Sequence, residues 1–425
     1  MTLVYDIIAV GILIGYLPFY LLKRKFHAGF LQRFGFLPKG VAFNRPIWIH
    51  AVSLGEIMAA KPLIAALRRA FPHKQLVIST VTPTGNKIAQ GLKREGDVVI
   101  YLPIDLSWIV RSVLQKINPS LFVIVETELW PNLITSLKRL GVPCVVVNAR
   151  ISDASLRGYA SILWFIKPVL DSVSLFCVQS EQAAKRLLHL GVNETNMHVT
   201  GNMKFDIALT ANKDHEASSQ LTLQRAHKDK LWVCGSTHPG EESMLLDIYK
   251  QLLDRQIALT LLLAPRHPER VGEICRTVEQ AGFMPLCIST LNSSREPSGQ
   301  ASLARVVYIL DTVGELISYY RLADLVFVGG SLIKKGGHNI IEPAALGKPI
   351  VVGPYMFNFR DITNLFLKSH SLMQVKDTQG LLSVMVAWLE NPSEAERYAS
   401  NALSLLKQNQ GASQKNLQFL SKFIQ

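Results

Sequence analysis

The segment His50–Glu56 (HAVSLGE) joins an apolar run to a helix-like stretch. Ser53 or Gly55 can begin that helix, which leaves backbone N–H groups free and sets Glu56 near its N-terminus. A carboxylate in this place can take a proton as a general base. The alternative is that it only complements the helix dipole, and both interpretations stay open.

Two carboxylates follow the apolar run LFVIV in Val125–Asn132 (VETELWPN). Glu126 and Glu128 are costly to bury unpaired, so we expect a basic partner unless they only cap the next helix. The candidates for that partner are Arg150, Arg157 and Lys204, the last in GNMKFD (Gly201–Asp206). This pattern predicts a charged cluster at the end of a strand.

Three segments of the C-terminal half suit phosphate. They are Gly235–Glu242 (GSTHPGEE), Ala264–Arg270 (APRHPER) and Gly329–Pro343 (GGSLIKKGGHNIIEP), each after a candidate strand. Arg266 can bind phosphate through two parallel hydrogen bonds. Backbone N–H groups of a glycine-rich loop also suit phosphate, and Glu342 can bind ribose hydroxyls. Together these loops predict a nucleotide site.

No motif for a metal or a common cofactor is present. The histidines at 50, 238, 267 and 338 lack ligand spacing such as HExxH or CxxC, so we interpret them as capping and hydrogen-bonding residues. Neither GxGxxG nor GxxxxGK[ST] follows a strand, which disfavours dehydrogenases, kinases and ATPases. We expect no cofactor and no catalytic metal.

Short apolar runs joined by amphipathic stretches position these residues. The pattern is typical of repeated βαβ units, which form parallel sheets covered by helices. In the first half the predicted strands are Pro46–Val52, Gln75–Thr80, Leu121–Val125 and Pro143–Val147. In the second half they are Leu231–Cys234, Leu259–Leu263, Val306–Ile309, Leu325–Val328 and Pro349–Val352. Predicted helices are Glu56–Ala70, Thr84–Arg94, Leu106–Ile117, Trp130–Leu140 and those of a helical end from Asp377.

The 425 residues divide into an anchor and two domains. We predict a membrane anchor helix over 1–25, a Rossmann-like domain over 26–210, a linker over 211–229 and a second Rossmann-like domain with C-terminal helices over 230–425. Ligands of open α/β sheets bind beyond the carboxyl ends of the strands. We therefore expect the two domains to face a cleft that holds the chemistry.

The formal net charge of +13 indicates an anionic partner. Residues 1–204 hold 23 Lys and Arg against 11 Asp and Glu, so nearly all of the excess lies in the N-terminal half. No aromatic interleaving or zinc knuckle accompanies these bases, which disfavours nucleic acid. The five cysteines exclude a disulfide-rich secreted scaffold.

The N-terminus offers a membrane as that partner. Residues 7–22 are uncharged, and Lys23, Arg24, Lys25, His27 and Arg33 follow them. A signal peptide carries its charge before the apolar region, whereas this order keeps the rest of the chain in the cytoplasm. The alternatives are a helix lying on anionic lipid, which Asp6 and Pro18 favour, and a buried core helix.

The motifs SLGE, ETELWPN, GNMKFD, GSTHPGEE, APRHPER, VGEL, GGHNIIEP and GPYMFNFRD, in this order after an apolar N-terminus, resemble the Kdo (3-deoxy-D-manno-octulosonic acid) transferases, glycosyltransferase family 30. The resemblance spans Ser53 to Asp361. It implies a GT-B fold in which the domain over 26–210 binds the acceptor and the domain over 230–425 binds CMP-Kdo. It also implies an inner-membrane location with anionic lipids, and an inverting transfer of one or more Kdo units from CMP-Kdo to lipid IVA in lipopolysaccharide biosynthesis.

The resemblance also implies roles for single residues. Glu56 matches the general base, and Glu126 and Lys204 match positions of transition-state stabilisation. The matching CMP contacts are Pro265, Arg266, Val313, Gly314, Glu315, Asn339, Ile340, Ile341 and Glu342. Ile340 departs from the family pattern, which often has proline there.

Two other functions remain open. A different GT-B enzyme could use a UDP-sugar on a lipid or peptidoglycan precursor. A non-catalytic protein could bind a membrane surface through the basic half, although the carboxylates at predicted strand ends argue against it.

Overall fold

Seven apolar segments of the first half pair as one fully parallel sheet. The strands are β1 Ile47–His50, β2 Leu76–Thr80, β3 Val98–Tyr101, β4 Leu121–Val125, β5 Cys144–Ala149, β6 Leu175–Val178 and β7 Met197–Val199. Their order across the sheet is β3-β2-β1-β4-β5-β6-β7. The order reverses beside β1, which pairs with both β2 and β4, so the motifs after these strands meet at one sheet edge.

Helices cover this sheet and complete the first unit. They are α1 Thr2–Leu22, α2 Leu54–Ala70, α3 Pro83–Leu92, α4 Ser107–Ile117, α5 Pro131–Arg139, α6 Asp153–Ser161, α7 Leu163–Leu170 and α8 Glu181–His189. Side-chain hydroxyls of Ser53 and Thr82 cap α2 and α3, as expected for Ser and Thr at an N-cap. Helices on both faces explain why the strands are rich in Val and Ile.

The second half repeats this architecture. Its strands are β8 Lys230–Thr237, β9 Leu259–Pro265, β10 Met284–Cys287, β11 Val306–Ile309, β12 Leu325–Val328, β13 Ile350–Val352 and β14 Met373–Gln374. They pair in parallel in the order β10-β11-β9-β8-β12-β13-β14. The helices are α9 Glu241–Asp254, α10 Val271–Gln280, α11 Ile288–Leu291, α12 Leu316–Leu322, α13 Ile341–Ala345, α14 Arg360–Lys368, α15 Thr378–Glu390, α16 Pro392–Gln408 and α17 Ala412–Ser421.

This computed structural model describes residues 2–22, 29–38, 40–206, 229–291 and 306–424. They confirm the α/β prediction of two parallel sheets, and every predicted strand is present with bounds that differ by a few residues. The sequence missed β3, β6 and β10, of four residues each, and the edge strands β7 and β14. The predicted linker lies outside the described residues except for Asp229.

The C-terminal segment departs from the predicted domain boundary. Asn409–Gln425 clusters with Met1–Ile207, and the other compact unit is Ala208–Gln408. Leu417 and Leu420 of α17 belong to the hydrophobic core of the first unit. Asp206 accepts hydrogen bonds from the backbone N–H groups of Gly411 and Ser413, at 2.8 and 2.6 Å, and so caps α17. These contacts explain why the segment leaves the second domain.

Helix α1 docks on the first unit along one side. Asp6 is buried, and its Oδ1 accepts hydrogen bonds from the N–H of Ser107 at 3.1 Å and from Nδ2 of Asn132 at 2.7 Å. Tyr5 stacks on Phe165 with ring centroids 5.8 Å apart. Within the described ranges, no helix is both long and apolar enough to cross a membrane.

Candidate functional site

Glu56 lies in the first turn of α2, where each of its carboxylate oxygens accepts one hydrogen bond. The Ser53 hydroxyl donates to Glu56 Oε1 at 2.9 Å and accepts from the Glu56 N–H at 3.4 Å, so that Ser53 caps the helix. The N–H of Val52 donates to Oε2 at 2.6 Å. These contacts hold the carboxylate at the N-terminus of α2, as the helix-dipole interpretation also requires.

The electrostatics of Glu56 also suit a base. Burial raises its pKa to about 7, opposed by the hydrogen bond from Val52 and reinforced by the negative charges of Glu126 and Glu128. A carboxylate whose pKa lies near neutrality is matched to proton abstraction at neutral pH. The negative charges of Glu126 and Glu128 thus act on Glu56 within the first unit.

Glu126 is held between two cations. Its Oε1 lies 2.9 Å from Nζ of Lys204, and its Oε2 accepts a hydrogen bond from Nε of Arg150 at 3.1 Å. These are two of the three partners that the sequence suggested. Glu126 is nearly buried and adopts a left-handed backbone with φ of 62°, a strained conformation that concentrates at functional sites.

Glu128 adds a second carboxylate beside this cluster. Burial, and then the charge of Glu126, raise the pKa of Glu128. Burial and the charge of Glu128 also raise the pKa of the Tyr159 phenol. The cluster thus contains three carboxylates and two cations in one unit.

Asn148 positions Lys204 and was missed by the sequence analysis. It is the penultimate residue of β5 and has φ of 54°, a conformation that Asn tolerates better than most residues. Its buried Oδ1 accepts the N–H of Met203 at 2.9 Å, and Asn202 Oδ1 accepts the N–H of Lys204 at 3.0 Å. The signal was an amide residue directly after the apolar run of β5.

In the second unit Arg266 stands exposed at the end of β9, directly after Pro265. Burial and the Arg266 charge lower the pKa of His338 to about 4. Nε2 of His338 lies 2.8 Å from Nε2 of His238, and the two rings are nearly coplanar. Burial and the positive charges of His267 and Lys335 also lower the pKa of His238. This electropositive patch suits an anion.

The remaining predicted nucleotide contacts lie at the starts of two short helices, α13 and α12. Asn339 Nδ2 donates to Glu342 Oε1 at 2.9 Å, and burial raises the pKa of Glu342. The side chains of Ile340 and Ile341 are buried, so they leave only backbone atoms to a ligand. The segment before α12 holds Val313, which is 85% exposed, and Gly314, which has φ of 94°. It ends at Glu315, whose carboxylate accepts a hydrogen bond from Thr312.

Glu241 occupies backbone amides that the sequence assigned to phosphate. Its fully buried carboxylate accepts hydrogen bonds from the N–H groups of Gly330, Ser331 and Leu332 at 2.7, 3.0 and 3.0 Å, and of His238 at 3.1 Å. The phosphate prediction is therefore wrong for this part of the glycine-rich loop, because an internal anion already fills it. Glu242 is structural too, since it pairs with Arg270 at 3.0 Å.

Replacing Glu241 by alanine should destabilise the second unit by at least about 3 kcal/mol. The change leaves the three buried N–H groups of Gly330, Ser331 and Leu332 without an acceptor, and each such group costs about 1–3 kcal/mol. Urea unfolding of Glu241→Ala measures the loss, with the exposed Glu279→Ala on α10 as control. Equal unfolding midpoints for the two variants would contradict this account of the loop.

His50 has the hydrogen-bonding role that the sequence analysis gave to the histidines. His50 is fully buried, bonds through Nδ1 to Ser79 Oγ at 2.9 Å, and has its pKa lowered by burial to about 4. In the part of the chain that the structure describes, no three or more His, Cys, Asp or Glu side chains are grouped to hold a metal ion.

Comparison with known proteins adds to this geometry. A family model described as 3-deoxy-D-manno-octulosonic-acid transferase (kdotransferase) matches residues 28–207. The 3-deoxy-D-manno-octulosonic acid transferase of Haemophilus influenzae is 33% identical over 398 residues, covering 93% of this chain and 91% of that protein. The transferase of the same name from Rickettsia felis is 32% identical over 395 residues, covering 91% and 82%.

A solved structure shares the fold alone. The UDP-GlcNAc 2-epimerase from Neisseria meningitidis, bound to UDP-GlcNAc, aligns with a TM-score of 0.61 at 13% identity. The alignment covers 89% of this chain and 100% of the epimerase chain. Both halves of the chain therefore take part in the likeness.

Proposed function

This chain belongs to the Kdo transferase family and is a glycosyltransferase of lipopolysaccharide biosynthesis; from that premise we propose that it transfers one or more Kdo units from CMP-Kdo to lipid IVA with inversion at the anomeric carbon. The observation that carries the finer proposal is the pKa of Glu56, which burial and the negative charges of Glu126 and Glu128 raise to about 7 and which therefore suits a base.

In the proposed reaction a hydroxyl of lipid IVA attacks the anomeric carbon of Kdo. The Glu56 carboxylate takes the hydroxyl proton as the new C–O bond forms. The bond from the anomeric carbon to the phosphate oxygen breaks, and CMP leaves with that electron pair. Because the attack comes from the face opposite the leaving group, a single displacement inverts the centre.

Lys204 offsets negative charge on the Kdo carboxylate or in the transition state. The sequence left the role of Glu126 open, since a carboxylate near an anionic sugar repels it. The 2.9 Å contact between Glu126 Oε1 and Lys204 Nζ supports a positioning role for Glu126, with Arg150 balancing the second oxygen. In this role Glu126 acts through Lys204 and not on the sugar.

The second unit binds the donor in this proposal. Arg266 supplies the positive charge that stabilises the leaving phosphate without a metal. The adjoining imidazoles of His238 and His338, which their lowered pKa values keep neutral, serve as hydrogen-bonding groups. Asn339 and Glu342 hold the rest of the nucleotide, and the hydrogen bond between them at 2.9 Å supports a fixed geometry.

Replacing Arg266 by alanine should weaken CMP binding tenfold to a hundredfold. A hydrogen bond to a charged group contributes about 1.5–3 kcal/mol, which is roughly that factor. Thermal unfolding with added CMP measures the change through ligand-linked stabilisation. The control is Arg255→Ala, which removes an exposed arginine at the end of α9. Undiminished CMP protection of Arg266→Ala would remove its phosphate role, and protection by UDP in place of CMP would favour the UDP-sugar alternative.

We also place this protein at the cytoplasmic face of the inner membrane. The outward side of α1 supports this location, because Leu3, Val4, Ile7, Ile8 and Ile12 are each more than half exposed. A contiguous exposed apolar surface beside a positively charged half suits anionic lipid.

A further inference from the structure

A cavity of about 180 Å³ lies in the first unit between α1 and the loops that follow β2, β3 and β4. Its lining includes Ala9, Arg33, Val81, Leu102, Ile104 and Trp130. We propose that this α1 cavity binds an acyl chain of the lipid acceptor, with an oxygen of that chain accepting hydrogen bonds from Arg33 and Trp130. The inference rests on the proposed function and adds a binding site to it.

The walls and size of the α1 cavity fit a hydrocarbon chain. Ala9, Val81, Leu102 and Ile104 present aliphatic side chains. At about 30 Å³ for each water-sized group, 180 Å³ holds roughly six such groups, and a methylene is of similar size. Ligand sites of this kind are mostly apolar, with a few polar groups that fix orientation.

Two unpaired hydrogen-bond donors in the lining are the reason for assigning an oxygen of the acyl chain to this cavity. Arg33 Nε and Trp130 Nε1 are buried, and neither has an acceptor among the described residues. The other end of the Arg33 guanidinium donates to the carbonyl of Val81 and lies over the ring of Tyr101, at 5.5 Å. Buried N–H groups are seldom left unpaired, so two at one cavity indicate a missing acceptor. An ester, amide or hydroxyl oxygen of an acyl chain supplies it.

Helix α1 gives a lipid chain access to this place. Asp6 fixes the helix to α4 and α5, so that Ala9 faces the cavity while Ile7 and Ile12 are exposed on its other side. An apolar surface on one side of α1 and an apolar cavity on the other suit a lipid whose acyl chain passes from the bilayer into the cavity.

The α1 cavity also adjoins the candidate base. The N–H of Val81 donates to the carbonyl of Val52 at 3.0 Å, and the N–H of Val52 donates to Glu56. Trp130 follows Glu126 in the ETELW segment, and its ring lies 6.1 Å from that of His50. A chain held in the cavity therefore brings its sugar toward the carboxylates of the same unit.

Filling the cavity should weaken the use of an acylated acceptor and leave the use of a deacylated acceptor unchanged. Ala9→Phe and Val81→Phe each add an aromatic ring from opposite walls, and we expect KM for lipid IVA to rise tenfold or more. The same variants should leave transfer to the deacylated phosphorylated disaccharide unchanged. Ile14→Phe, on the exposed side of α1, is the matched control and should behave as wild type. An equal effect of Ala9→Phe and Val81→Phe on both acceptors, or none on either, would overturn the site.

Photolabelling tests the site without catalysis. Lipid IVA with a diazirine in one acyl chain should label the Val81 and Leu102–Asp105 loops, and Ala9→Phe should abolish that label. Labelling confined to exposed residues of α1 would overturn the proposal. If the loops are labelled but the protein transfers no Kdo, the acyl site stands and the proposed function is refuted.

Discussion

Replacing Glu56 by glutamine is expected to lower Kdo transfer by about 10²–10⁴ while CMP-Kdo still binds. General base catalysis contributes about this factor, and glutamine keeps the size of the side chain without its ability to take a proton. The assay is the initial rate of transfer to lipid IVA at saturating CMP-Kdo. Glu95→Gln, an exposed carboxylate of the same unit, is the control.

The pH dependence gives the same residue a second readout. Burial raises the pKa of Glu56 to about 7, so the carboxylate is protonated and inactive below that value. Transfer by the wild type should therefore rise with pH to about 7 and level off above it. A Glu56→Gln variant with near wild-type rates, or a wild-type profile flat from pH 5 to 9, would remove the base assignment.

Replacing Lys204 by methionine is expected to lower transfer by about 10²–10³, the usual effect of losing one preorganised stabiliser of transition-state charge. Methionine keeps most of the apolar stem and removes only the ammonium group. The loss should appear in kcat more than in KM, because the charge acts on the transition state. Lys185→Met, at an exposed position on α8, is the control.

A double-mutant cycle separates the roles of Lys204 and Glu126. If Glu126 acts by positioning Lys204, Glu126→Gln should cost less than Lys204→Met and should add nothing in the Lys204→Met background. The two side chains are in contact at 2.9 Å, so such coupling is expected. Fully additive losses would show that Glu126 acts on substrate independently.

The carboxylates of the candidate site could be predicted from the sequence, because their positions after strands follow from the local pattern of apolar and polar residues. Glu126 directly follows the apolar run of β4, and Glu56 lies in the first turn of the helix after β1. Parallel strands bring their carboxyl ends to one edge of the sheet. The basic partners Arg150 and Lys204 followed from the cost of unpaired carboxylates. What the sequence could not choose was the pairing among candidates, which depends on the left-handed backbone of Glu126 and Asn148.

Other features required contacts distant in the chain. The glycine-rich loop looked free to bind phosphate until Glu241, about ninety residues earlier, was seen to fill its amides. The C-terminal segment looked like part of the second domain, yet Asp206 caps its last helix on the first unit. Asp6 interrupted an apolar helix, and only its bonds to Ser107 and Asn132 explain why it is there.

The central claim is a Glu56-dependent, inverting transfer of Kdo from CMP-Kdo to lipid IVA. Its most direct measurement is mass spectrometry and NMR of the product formed by the purified full chain from CMP-Kdo and lipid IVA. We predict lipid IVA carrying added Kdo in α linkage, CMP released in equal amount, and almost none of either with Glu56→Gln. Unmodified lipid IVA with the wild type, or a product that retains the β configuration of the donor, would contradict the account.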